Sequence, residues 1–305
     1  MSTSRIGPRI GIDLGGTKIA GIALGTDNDT LAETRRPSPR ADYDGTIRAI
    51  ADVIAELERS ADVTDASIGI GMPGSLSPRT GVVHNANSTW LNGRPFDRDL
   101  SQALGRPVRL SNDANCFALS EAHDGAAEGA RSVFGVILGT GCGGGVVVDG
   151  KLIDGPHGIA GEWGHIPLPW ADATEHPGPR CWCGQLGCME TWVSGTALAD
   201  DYARATNERL TGEAIVAHAA NGNTAAQGTL DRHASRLARG LALITNILDP
   251  EVIVLGGGLS QLPYLYRVLP DLIVRHMFAD HAAPDVRPPK WGDASGVRGA
   301  ARLWG

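Results

Sequence analysis

No stretch of this 305-residue chain is long and apolar enough to cross a bilayer; runs such as Val252-Ile253-Val254-Leu255 stop far short of the ~20 residues that a membrane helix needs. The first residues, Met1-Ser2-Thr3-Ser4-Arg5, lead almost directly into Arg9-Ile10-Gly11-Ile12-Asp13, with no apolar signal core and no cleavage site. A cytoplasmic location with no membrane partner is therefore expected. Runs of lysine or arginine are also missing, and the formal net charge is −7. Nonspecific nucleic-acid affinity comes from clustered cations, so no nucleic-acid partner is expected, and no helix-turn-helix fits ahead of Ile10. No Gly-x4-Gly-Lys-Ser/Thr sequence occurs, which excludes a P-loop. Cysteine is scarce, with five in the chain. In a reducing compartment those thiols favour a metal over a disulfide.

What is present suits a soluble globular protein: 42% hydrophobic and 20% charged residues, on a chain long enough for about two domains and a sizeable core. Two segments share one design. Arg9 to Leu14 turns at Gly15-Gly16 into Thr17 to Leu24, and Val133 to Leu138 turns at Gly139 to Gly145 into Val146-Val147-Val148. Each reads as a β-hairpin with a glycine-rich tip, and the pair suggests an internal duplication in which each hairpin opens one α/β half. Helical spacing runs over Thr46 to Ser60, over Ala114 to Ala122 after the polar cap Ser111-Asn112-Asp113, and over His233 to Leu248. The last of these feeds a strand from Glu251 to Leu255. Pro167 to Pro179 is proline-rich and polar, hence a loop. The order of elements predicts a two-lobed α/β protein with a cleft.

Gly139-Thr140-Gly141-Cys142-Gly143-Gly144 matches the dinucleotide fingerprint in form, but a strand rather than a helix follows it, so no helix end can meet a pyrophosphate. Three glycine-rich turns remain, Leu14 to Lys18, Gly139 to Gly145 and Gly256 to Ser260, each at a strand end where bare backbone N–H groups can approach phosphate oxygens. Any one of them alone reads as an ordinary tight turn. Together with Asp13 and Thr17 they form a candidate Mg²⁺-nucleotide cradle, with a carboxylate near the metal and a hydroxyl near phosphate. Asn112-Asp113 at a helix start has two readings, because either residue caps a helix, and an ionised Asp in a cleft can also take a proton from an attacking hydroxyl.

Cys181, Cys183 and Cys188 place three thiols within eight residues, and His165 in Gly161-Glu162-Trp163-Gly164-His165 is the candidate fourth ligand. A Cys3His set closes a structural zinc site; the competing reading is a disulfide pair with a spare thiol. Cys116 and Cys142 lie in apolar contexts and read as packing residues. Folding the knuckle around a metal would bring Glu162 and Glu190 into one small volume, and with Asn87 and Asn112 they would suit a polyhydroxylated ligand. Both carboxylates also read as solvated loop residues.

The combination Ile12-Asp13-Leu14-Gly15-Gly16-Thr17-Lys18, Asn112-Asp113-Ala114-Asn115, Gly139-Thr140-Gly141, Glu162-x-Gly164-His165 and Cys181-x-Cys183-Gly184-x-x-Gly187-Cys188-x-Glu190 resembles the ROK family of sugar kinases and repressors along essentially the whole chain. Asn85 to Gly93, Ser111 to Cys116 and His165 to Trp170 resemble its fructokinase branch, which also accepts mannose. The resemblance implies an actin-like ATPase (ribonuclease H-like) fold of two lobes with a duplicated sheet and a zinc knuckle. Residues 1–124, with a helix returning within 295–305, would form one lobe, and 125–294, with the zinc, the other. It implies Asp113 as catalytic base, and Asn87, Asn112, Asp113, Glu162, His165 and Glu190 around the sugar. His165, Cys181, Cys183 and Cys188 would hold structural Zn²⁺. ATP with Mg²⁺ would lie against Gly11, Ile12, Asp13, Leu14, Gly15, Gly16, Thr17 and Lys18, against Gly139, Thr140, Gly141, Cys142, Gly143, Gly144, Gly145 and Val146, and against Gly256, Gly257 and Gly258. The implied activity is phosphorylation of a hexose 6-hydroxyl, fructose first and mannose second, by a homodimer. A glucokinase is the alternative, and a sugar-sensing repressor a third reading. The spacer between His165 and Cys181 is longer than the family pattern.

Overall fold

The computed structural model describes residues 7–279 and 282–305. Twelve strands and nine helices follow one another among the described residues. The first half runs β1 (Arg9–Leu14), β2 (Lys18–Leu24), β3 (Thr30–Pro37), α1 (Tyr43–Ala61), β4 (Ser67–Met72), β5 (Ser75–Leu76), β6 (Val83–His84), α2 (Phe96–Leu104), β7 (Val108–Asn112) and α3 (Asp113–His123). The second runs β8 (Ser132–Leu138), β9 (Cys142–Val148), β10 (Lys151–Leu152), α4 (Glu190–Val193), α5 (Gly195–Thr206), α6 (Gly212–Ala220), α7 (Thr224–Leu248), β11 (Val252–Gly256), α8 (Pro263–Val274), β12 (Asp285–Arg287) and α9 (Ser295–Ala301).

The duplication expected from the two hairpins is visible in the sheets. One has the order β3-β2-β1-β4-β7, the other β10-β9-β8-β11-β12. In each, the first strand pairs antiparallel with its hairpin partner and parallel with the strand on its other side. The first sheet packs Ile10, Ile12, Ile68 and Ile70 against Ile50, Ile54 and Leu57 of α1. The second packs against α5 to α8 through Val136, Leu138, Leu198, Leu237, Leu241 and Leu269.

Two helices lie between the sheets. α9 rests on β1 and α3 rests on β9. Gly11 is a close-approach position, because a Cβ there would overlap the Val297 carbonyl of α9. At Gly145 a Cβ would sit 2.7 Å from the Ala114 carbonyl and 2.9 Å from the Ala118 Cβ, both on α3. α3 is buried from Ala114 to Ala122, which is why its apolar residues show no single face. Its Glu121 is fully buried and accepts the amides of Ala126 (2.7 Å) and Lys290 (3.0 Å) and the hydroxyl of Ser295 (2.6 Å), fixing the start of α9 to α3.

Three boundaries differ from expectation. The glycine run was expected to be the tip of the second hairpin, but β9 already begins at Cys142. Gly143 to Gly145 are strand residues made small by what packs on them. α7 begins at Thr224 rather than His233, because Asn223 caps it by accepting the Ala226 amide at 2.9 Å and Ala226, Thr229 and Leu230 extend its buried side. The returning C-terminal helix spans Ser295–Ala301, shorter than 295–305. No helix among the described residues is long and apolar enough to cross a membrane.

Candidate active site

Asn112 ends β7 and caps α3: its Oδ1 accepts the Ala114 amide at 2.9 Å, and its Nδ2 donates to the Gly74 carbonyl at 3.2 Å. Asp113 is the first helical residue, and its Oδ1 also accepts from the Ala114 amide, at 2.8 Å. Capping and an available carboxylate thus fall to neighbouring residues. Water reaches the Asp113 side chain directly, yet the protein mass around it and the nearby Asp13 and Glu162 carboxylates push its pKa up to about 6. The Ala114 amide pulls the other way, and enclosure wins. Asp13, at the end of β1, is likewise raised by burial, with the Lys18 ammonium opposing. Where α9 begins, a Cβ on Gly296 would lie 3.6 Å from the Asp13 carboxyl.

His165, Cys181, Cys183 and Cys188 converge, with their ligand atoms all within 4.8 Å of one another. Cys181 Sγ lies 3.6 Å from His165 Nδ1, and Cys183 Sγ lies 3.6 Å from Cys188 Sγ. A tetrahedral ion with Zn–S near 2.3 Å and Zn–N near 2.0 Å spaces its ligands roughly 3.5 to 3.8 Å apart, so the four donors fit zinc in number, type and spacing. None of the thiols is in a disulfide. The loop after His165 leaves the site and returns: the Leu168 amide donates to Gly187 (2.9 Å), and the Met189 amide to Ile166 (2.8 Å). Its polar sequence hides one anchor. Glu175 is buried between Arg236 (2.8 Å) and Arg239 (2.7 Å) of α7, which hold its carboxyl below the usual range against the cost of burial.

Glu190 opens α4. Its Oε2 accepts the Cys142 amide at 2.9 Å and its Oε1 accepts the Trp182 indole N–H at 2.6 Å. It is therefore a bonded link, not a free loop residue. Glu162 is exposed, on the turn before Trp163–His165, and its charge reaches both Asp113 and Cys142. Asn87 is exposed on the segment between β6 and α2, and no hydrogen bond among the described residues joins it to the other five expected sugar ligands.

A cavity of about 890 Å³ opens beside this cluster at the edge of the second sheet, lined in part by Leu138, Gly139, Thr140, Gly195, Thr196 and Gly258. Leu210, Val216, Leu259 and Leu262 make the rest of its wall largely apolar, and Arg209 and Glu213 add charge of both signs. Two of the three glycine turns thus meet one cavity. Several of the residues expected to meet the nucleotide do not line this cavity. Gly11, Ile12 and Leu14 are buried strand residues of β1, in the interior of the first sheet. Gly144 and Gly145 are buried under Trp163 and α3, and Gly256 under Phe117. Gly15, Gly16 and Thr17 stand at the open turn of the first hairpin. Cys116 and Cys142 are buried, with thiol pKa values pushed well up by desolvation, and act as packing residues. The α5 and α6 side of the cavity carries no motif in the sequence; the one available signal is Thr211-Gly212, where Thr211 caps α6 by accepting the Ala214 amide.

The ROK family profile matches residues 9–305. An N-acetyl-D-glucosamine kinase of Pectobacterium atrosepticum is 39% identical over 298 residues, covering 96% of this chain and 97% of that protein. Among solved structures, a ROK hexokinase from Thermus thermophilus is 35% identical with a TM-score of 0.86, each chain covered to 96%. A ROK family glucokinase from Streptomyces griseus, in complex with glucose and AMPPNP, is 29% identical with a TM-score of 0.76 and covers 97% of this chain and 99% of its own. The duplicated sheets are accordingly those of the actin-like ATPase fold of ROK sugar kinases. None of these relatives is named for fructose, so the fructose specificity expected from the sequence finds no support in them.

Proposed function

The chain belongs to the ROK family, and from that premise we propose that it is an ATP-dependent kinase that phosphorylates the 6-hydroxyl of N-acetyl-D-glucosamine. The observation that carries the reading is Asp113. A carboxylate at a capped helix start, open to water and titrating at about 6, is matched to taking a proton near neutral pH. The choice of sugar follows the N-acetyl-D-glucosamine kinase likeness over 96% of the chain, and fructose gives way to it. Glucose is the second reading, favoured by the glucokinase likeness.

In this reading Asn112, Glu162, His165 and Glu190 hold sugar hydroxyls, and Asp113 receives the proton of O6 as that oxygen attacks the γ-phosphorus. The apolar cavity beside Gly139 and Gly258 takes the adenosine, and Asp13 with Gly15, Gly16 and Thr17 faces the phosphates. Mg²⁺, when bound, neutralises phosphate charge. Such a transfer depends on positioning and charge far more than on covalent help from the protein. His165, Cys181, Cys183 and Cys188 would hold Zn²⁺, which would supply structure and not chemistry by fixing the wall that bears Glu190. Residues 1–124 with α9, and 125–294, are the two lobes that would close on the substrates. Incubation with N-acetyl-D-glucosamine, ATP and Mg²⁺, followed by phosphorus NMR of the product, tests the reading. A phosphate coupled to the C6 protons is expected, and ATP hydrolysis with no sugar phosphate would refute it.

A further inference from the structure

Trp182 sits between two of the thiols that converge with His165, and its side chain is among the most exposed large apolar groups of the chain, at 63%. It is nonetheless held at two points. Its indole N–H donates to Glu190 Oε1 at 2.6 Å, and its ring meets the His165 ring edge-on, with centroids 5.0 Å apart at 88°. Both partners belong to the proposed sugar site. No core cluster includes Trp182, so burial does not explain the residue.

From this contact pair we infer that Trp182 is a specificity-determining residue of the sugar site, presenting an aromatic face to a substituent on the sugar ring and favouring an N-acylated hexosamine over the parent hexose. The inference rests on the sugar-kinase reading above. An N-acyl group brings a methyl and a flat amide that lie well against an indole, whereas a hydroxyl in its place offers neither. The second contact adds orientation. By occupying Oε1, the indole turns Glu190 so that its remaining lone pairs face one way, and Cys142 fixes Oε2. Flanking cysteines bound to a common ion would keep the ring from swinging off. A methyl and a flat amide against one exposed aromatic face are worth about 2- to 10-fold in discrimination, which is the scale expected here.

The test compares Trp182→Ala and Trp182→Phe with the parent, using N-acetyl-D-glucosamine and glucose at saturating ATP and Mg²⁺. In Trp182→Ala the KM for N-acetyl-D-glucosamine should rise about tenfold with kcat within about twofold, while the glucose KM, which feels only the loosened Glu190, should rise by a smaller factor of about two to three. Trp182→Phe keeps the ring without the N–H and should recover most of the N-acetyl preference. Binding of N-acetyl-D-glucosamine without ATP should change tryptophan fluorescence in the parent, and that change should be lost in Trp182→Phe. Zinc content and melting temperature accompany each measurement. An unchanged KM in Trp182→Ala, or an equal rise for both sugars, overturns the inference; if Trp182→Ala fails to fold, Trp182→Phe decides it by the sugar ratio and the fluorescence. A parent that phosphorylates neither sugar defeats the kinase reading instead, and the fluorescence change still tests Trp182.

Discussion

The Cys142 amide donates to Oε2 of Glu190 at 2.9 Å, so the first residue of β9 is bonded to the first residue of α4. Glu190 follows Cys188 by two positions, and Cys188 shares its cluster with His165. The bond therefore joins the thiol knuckle to the hairpin that faces α3, and any loosening of the knuckle reaches a residue proposed to hold the sugar.

Metal removal is the direct consequence. The purified protein is expected to carry one zinc per chain, and Cys181→Ser or exhaustive chelation should lower the melting temperature and raise the sugar KM about tenfold, with a smaller effect on kcat. Zinc content, scanning calorimetry and steady-state kinetics on the same sample check this. Unchanged stability and KM in zinc-free protein would contradict it.

Replacing the proposed base has a different signature. Asp113→Asn should lower kcat by about 10² to 10⁴-fold, the usual scale for one general base, while sugar affinity measured by calorimetry stays within about threefold. A variant with near-parental turnover would remove Asp113 from the chemistry.

The raised pKa of Asp113 fixes the direction of the pH response. Below about 6 the carboxyl is protonated and cannot accept the O6 proton; above it the base form predominates. kcat/KM should therefore climb with pH through about 6 and level off above. An acid limb centred near 4, where an unperturbed carboxylate titrates, would show that the group limiting the rate is not enclosed as Asp113 is.

Gly145→Ala probes the packing behind the base. The added Cβ would stand 2.7 Å from the Ala114 carbonyl, which belongs to the first turn of α3. The substitution should destabilise the protein by about 1–3 kcal/mol through overpacking, read by urea unfolding, and should lower kcat by displacing Asp113. Parental stability would mean that α3 does not rest on β9 as described.

That glycine also shows where sequence and structure part. Cys181, Cys183, Cys188 and His165 were legible because ligand chemistry restricts both residue type and spacing, and the convergence of their donor atoms follows. Asn112-Asp113 was legible because a cap before an apolar run marks a helix start. Gly143 to Gly145 were not, since a glycine needed for close approach to a helix looks the same in sequence as one needed for a turn. The apolar wall from Leu210 to Val216 escaped for another reason: α6 meets Gly139 and Gly258 only through tertiary packing. Sugar choice was the least legible, because a hydroxyl and an N-acyl group differ by contacts made across the folded site, and the bond that brings Trp182 to Glu190 is one that no residue spacing encodes.

The central claim is tested most directly by kcat/KM for N-acetyl-D-glucosamine, glucose, mannose and fructose, measured side by side with ATP and Mg²⁺. N-acetyl-D-glucosamine is expected to exceed each of the others by about tenfold or more. A higher value for fructose or glucose would contradict the account.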